Sequence, residues 1–194
     1  MSVRFEAAIA AIDAANAADP VRLVVDGVER PKELVHADRV ERWVRTLDPD
    51  ADEIQILAAR AHHLRRWVVP RTDYPEGRAG YLRWRTEQKK RQANEVGDIL
   101  LASGYDADEI VRVGSIVTKR HLATDPVVQT HEDALCLAFL ELQFDQLADH
   151  LGDDHMVDVV RKTLTKMSPA GIAAARTIPM SERGAAILRA ASGT

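Results

Sequence analysis

The chain has 194 residues, 46% of them hydrophobic and 29% charged. That is long enough to bury one sizeable core and too short to make two full domains comfortable. Abundant Ala and Leu with only 5% aromatic residues argue against a sheet-built fold, and the lone Cys136 excludes an internal disulfide, which fits a reducing cytoplasm.

In chain order, Phe5, Ala8, Ile9, Ile12 and Ala15 recur at helical spacing and predict a first helix ending near Asp19-Pro20. Its charges at Arg4, Glu6 and Asp13 are unlike a signal peptide, and no stretch approaches the length of a membrane span. Residues Val21 to Val25, followed by the turn signal Asp26-Gly27, are the one place for a short extended segment. Leu34, Val40, Trp43, Val44 and Leu47 mark a second helix, bearing His36 and stopping before Asp48-Pro49. Asp50 with Glu53 reads as a capping box for a third helix through about Arg65, with His62 and His63 in its last turn.

The segment from Val68 to Gly80 holds Pro70, Pro75, Gly77 and Gly80 and reads as a loop. A long helix is expected from about Ala79 to Ala102, another from Asp106 with Glu109 to about Lys119, and a third opening at Asp125-Pro126 and bearing Asp133. That last helix is apolar almost all round, as befits the centre of a bundle. Two or three further helices should cover the end, one starting at Ser168-Pro169. The expectation is an all-α helical bundle in one domain over residues 1–194, with the site core at about 31–150 and the helices of 153–191 packed on it.

His36, the pair His62-His63 and Asp133 stand on helices whose apolar positions turn them toward the core. Imidazole and carboxylate from three separate helices can enclose one divalent ion, with Zn, Mn, Fe, Ni and Co all compatible, and leave room for water and substrate. Each also has an ordinary structural reading. Adjacent histidines point about 100° apart on a helix, and Asp133 near a helix start is favoured by the helix dipole alone.

The order of HADRVERWVRTL, AARAHHLRRW and VQTHEDALCLAFLE resembles the H…HD…D pattern of the HD superfamily of metal-dependent phosphohydrolases. The resemblance implies an HD-like bundle with metal ligands at His36, His62, His63 and Asp133; His63 stands where that superfamily has Asp. Over nearly the whole chain, AARAHHLRRW, PRTDYPEGRAGYLRWR, LLASGYD, DPVVQTHEDALCLAFLE and RKTLTKMS resemble the successive motifs of the uncharacterised family DUF4202.

Charge supplies a second line. Residues 60–91 carry ten Arg or Lys against three Asp or Glu, a +7 island within a net charge of −4. Such an island points to an anionic ligand more than to general nucleic-acid attraction. Leu82, Arg85, Lys89, Ala93, Val96 and Leu100 share one helical stripe, so Arg85 and Lys89 are expected to face the core, either paired with acids such as Glu132 or Glu141 or holding a phosphate. The expected function is metal-dependent hydrolysis of a small phosphorylated metabolite or nucleotide. In it Glu132 is a base or supporting partner, Asp133 a ligand, and Arg78, Arg85 and Lys89 bind phosphate. A non-catalytic nucleotide- or anion-binding module is the alternative, while overall acidity disfavours nucleic acid as a partner.

Overall fold

Local capping signals set most of the helix boundaries. In the computed structural model, which describes residues 2–25 and 27–193, Ser2 caps α1 (Val3–Ala17) by accepting the Phe5 amide N–H. Ser2 also donates its own amide and hydroxyl to Glu53, pinning the start of the chain to the third helix. Strands β1 (Arg22–Val25) and β2 (Val28–Pro31) pair antiparallel and form the only sheet among the described residues. Gly27 turns there at a φ of +77°; Asp26, the other half of the turn signal, lies outside the described residues.

Helix α2 (Lys32–Leu47) begins after Pro31, which has no side chain to cap it. Asp19 does so from a distance: its carboxylate accepts the Val21 and Glu33 amides, each at 2.9 Å. Helix α3 (Glu53–Ala61) is capped reciprocally by Asp52 and Gln55 rather than by Asp50 and Glu53. Glu53 is already engaged by Ser2, and Gln55 reaches on to Asp48 at 2.7 Å. The helix also ends sooner than its apolar spacing implies. Arg65 turns left-handed, its amide donating to Asn16, while Arg91 donates to the carbonyls of Leu64 and Arg65. His62 and His63 therefore lie in the turn that follows.

Two short 3-10 turns (Arg66–Val68 and Arg71–Asp73) lead into α4 (Gly77–Ala102), then α5 (Ala107–Thr118) and α6 (Pro126–Leu142). Four helices follow, more than the two or three expected: α7 (Phe144–Leu151), α8 (Asp153–Leu164), α9 (Pro169–Ala175) and α10 (Glu182–Ser192). Two of these span only seven or eight residues, too few to display a helical period.

Ala-rich α3 and apolar α6 are buried on nearly every side, α3 against α1, α2 and α5, and α6 against α2, α7 and α9. One apolar core runs from Phe5 to Ala191, so the last helices share it with the first. Helix α4 differs from expectation in its inner face, which is Gly80, Trp84, Gln88, Gln92, Val96 and Leu100, while Leu82 is half exposed. Polar Gln88 can be buried because its amide donates to the carbonyls of Arg66 and Val69 at 2.7 and 2.8 Å. Among the described residues no helix is long and apolar enough to cross a membrane.

Candidate functional site

A cavity of about 530 Å³ opens between α4, α6 and the end of α8. His36 reaches its wall from α2, His62 and His63 from the turn after α3, and Glu132 from α6. All three histidines are largely buried, and the His36 and His63 rings stack with centroids 3.9 Å apart.

The acidic partner of these two rings is Glu33, one helical turn before His36. Its Oε2 lies 3.1 Å from His63 Nδ1, and ligand atoms of Glu33, His36 and His63 all fall within 4.8 Å of one another. This triad of two imidazoles and a carboxylate can hold a metal ion. The donor set has the composition of a catalytic site with a position left for water. Burial prepares the imidazoles for the role: it holds His36 down at about 3 and His63 well below its usual range, so both are neutral and free to ligate at physiological pH. Neighbouring charge acts in the same direction: for His63 any proton taken up by His36 would, and the Arg66 cation does, while for His36 the cations are Arg66 and Lys32. Desolvation pushes Glu33 up to about 7 against the pull of Arg66 and Lys32, a strain that a dication beside it would relieve.

The other expected ligands lie elsewhere. His62 turns its Nδ1 to His131 Nε2 at 3.1 Å, making a separate buried pair. Asp133 faces away from the cavity toward α9. Its carboxylate accepts the Ser168 amide at 2.9 Å, the Ser168 hydroxyl at 2.5 Å and the Gln129 amide at 3.0 Å. It anchors one helix to another there, outside the cavity lining and apart from the Glu33–His36–His63 cluster, and does not stand with the other expected ligands. Glu132 does reach the cavity, but in an ion pair with Lys119 that leaves it little freedom as a base.

Of the expected phosphate binders, Arg85 and Lys89 line the cavity, whereas Arg78 is exposed at the start of α4 and does not. Glu141 is taken by Arg39, Arg42 and Trp43, and Glu132 by Lys119. Among the described residues no carboxylate lies within 4 Å of Arg85 or Lys89. The cavity adds Arg66, Lys162 and Lys166, which the sequence pattern left unmarked. Glu33 carried a readable signal, since three residues before His36 is the same helical face. Lys162 comes from the last turn of α8 and Lys166 from the turn after it, and only folding brings them to the cavity that α4 lines.

Fold and site together define an all-α protein with a deep basic cavity and a histidine–carboxylate cluster in its wall. Residues 6–188 match the family described as "Domain of unknown function (DUF4202)", and the chain belongs to that family. No curated protein and no solved structure matches it.

Proposed function

We propose that the cavity is the active site of a metal-dependent phosphohydrolase acting on a small phosphorylated molecule. One observation carries this reading: His36 and His63, two members of a Glu33–His36–His63 cluster suited to a divalent ion, line the same cavity as cations that have no carboxylate of their own. Such an ion supplies Lewis-acid chemistry, activating water and offsetting phosphate charge. The two imidazole nitrogens and one oxygen suit Zn, Mn, Fe, Ni or Co. The HD-like order of histidines enters this reading with Glu33 in the place expected for Asp133.

The chain's own residues do the rest. Arg85 and Lys89 bind the non-bridging phosphate oxygens and orient phosphorus toward the cluster. Glu33 Oε2 lies within hydrogen-bond distance of His63 Nδ1, a contact that fixes the ring's orientation. Water adds to phosphorus, the bond to the leaving oxygen breaks, and the proton given up by the water is the one that the leaving oxygen carries away.

The test uses tag-free protein stripped with a chelator and titrated with Zn²⁺ and Mn²⁺, followed by phosphate release from a panel of phosphorylated metabolites. Close to one ion per chain is expected, lost in His36→Ala and His63→Ala together with turnover. Ion binding that persists unchanged in both variants would sink the proposal. The Lys119–Glu132 pair favours a second reading, a binding module without turnover, because it ties up the cavity's most obvious base. Ligand-dependent stabilisation without phosphate release under every metal supplied selects that reading.

A further inference from the structure

Six cationic side chains line the cavity: Arg66, Arg85, Lys89, Lys119, Lys162 and Lys166. Lys119 is neutralised by Glu132, and among the described residues the other five have no carboxylate within 4 Å. Four of the five form two facing rails. Arg85 and Lys89 stand one turn apart on α4, while Lys162 sits in the last turn of α8 and Lys166 in the turn just past its end. A separation of four residues advances about 6 Å along a helix, so the α4 rail offers two charges along a line rather than one point, and the second rail adds two more on the other wall. One turn beyond Lys89 on α4, Gln92 lines the cavity while almost wholly buried, and its amide nitrogen has no acceptor among the described residues. A buried donor in that state awaits an acceptor from a ligand.

Resting on the phosphate-site reading above, we propose that the ligand carries two or more linked phosphates, a pyrophosphate or longer chain laid between the two rails, rather than a single phosphate ester. A monoester carries about −1.5 to −2 at neutral pH and leaves most of the five cations repelling one another in a partly desolvated space. A linked chain adds charge along the line in which the cations are arranged. The repulsion is visible on Lys89, whose pKa falls to about 8 through burial and then through Lys119 and Arg85. The planar forks of Arg66 and Arg85 suit paired oxygens on one phosphate, and the lysines act as point charges on the next.

The test is calorimetric titration of chelator-treated, metal-free protein with inorganic orthophosphate, pyrophosphate and tripolyphosphate at two salt concentrations. Pyrophosphate is expected to bind at least about tenfold (1.4 kcal/mol) more tightly than orthophosphate, with tripolyphosphate tighter again and a steeper salt dependence for each longer chain. Lys89→Gln and Lys166→Gln should each remove most of the preference for pyrophosphate. Lys166 is exposed at the rim, so its variant is not expected to unfold the protein. Equal affinity for orthophosphate and pyrophosphate overturns the inference, as does a pyrophosphate preference unchanged in both variants. A rail-dependent preference without metal-dependent turnover supports the inference while removing the hydrolytic reading. Turnover of monoesters without any preference for linked phosphates does the reverse.

Discussion

Lys89 is the side chain whose protonation the cavity controls most directly. Burial lowers its pKa to about 8, the cations Lys119 on the end of α5, Arg85 on α4 and Lys166 after α8 add to the effect, and Glu132 on α6 opposes it. The folded protein therefore gives up this proton more readily than the unfolded chain, whose lysine titrates near 10.4. Two consequences of opposite sign follow. Without ligand, stability rises as pH climbs from about 8 to about 10.4, because the unfolded state binds more protons there. Pyrophosphate affinity instead falls as pH passes about 8, since the ligand needs the charged form. Lys89→Arg keeps its charge throughout, so calorimetry at pH 7 and pH 9 should show a loss in the parent and little in the variant; equal losses in both would reject this role. Asp133 supplies a contrast. Asp133→Ala removes the acceptor of three hydrogen bonds, two from Ser168 that fasten α9 to α6 and one from Gln129 within α6, each made to a charged group and worth about 1.5–3 kcal/mol. A loss of about 2–5 kcal/mol in urea unfolding is expected, with ion binding at Glu33, His36 and His63 preserved; loss of the ion in a folded Asp133→Ala protein would contradict the assignment.

Among the elements, α4 depends most on one close approach. A Cβ at Gly80 would stand 1.9 Å from the Pro75 carbonyl oxygen, so the loop before the helix and the helix itself meet only because that side chain is absent. Arg71 holds the same loop by donating to the carbonyls of Tyr74 and Pro75, each at 2.8 Å. Gly80→Ala must displace backbone, and a cost of about 1–3 kcal/mol is expected. It should also weaken anion binding, because Tyr81, Arg85 and Lys89 shift with the helix start; a normal melting temperature with normal pyrophosphate affinity would show that the loop yields freely. This junction also shows where sequence reading succeeds. The box of Asp106 with Glu109, the Asp125-Pro126 start and the Ser168-Pro169 start all appear as expected, because the donor and acceptor lie within one turn. The end of α3 and the inner face of α4 were not legible, because partners distant in sequence decide them: Asn16 and Arg91 for the first, the carbonyls of Arg66 and Val69 for the second. At the site, His36, His62 and His63 stand out by residue type and buried placement, and Arg85 and Lys89 by conflict with an apolar stripe. That Glu33 rather than Asp133 stands beside His36 and His63 follows from how α2, α3, α6 and α9 pack, which no local pattern reveals.

At the scale of the whole molecule, α1, α2 and α3 are joined on the flank away from the cavity by one nearly buried cation. Arg60 on α3 donates to Asp13 on α1 and, from α2, to Asp38 at 2.6 Å and Glu41 at 3.1 Å. Its guanidinium is held above even its usual high range; burial opposes the charge, but Asp13, Asp38 and Glu41 together outweigh it. The arrangement matters for the site because α2 delivers Glu33 and His36, while the turn after α3 delivers His63. Their mutual placement is the placement of two helices. Replacing Arg60 by Met keeps much of the volume and the helix propensity, but leaves three carboxylates facing one another. Arg30 still pairs with Asp38 and Arg45 with Glu41, so Asp13 loses most. Asp13 and Asp38 keep 34% and 39% of their side-chain exposure, so water screens the stranded charge, and the expected cost is about 1–3 kcal/mol, still a sizeable part of the 5–15 kcal/mol that stabilises an ordinary domain. At about 2–4 °C per kcal/mol for a chain of this size, Arg60→Met should melt roughly 2–12 °C lower. Removing the stranded charge as well, in Arg60→Met combined with Asp13→Asn, should recover much of the loss, which would not happen if the loss came from a cavity left by the shorter side chain. Melting curves of the parent, Arg60→Met and the double variant separate the two causes, and a double variant that melts no higher than Arg60→Met would refute the electrostatic account of this junction.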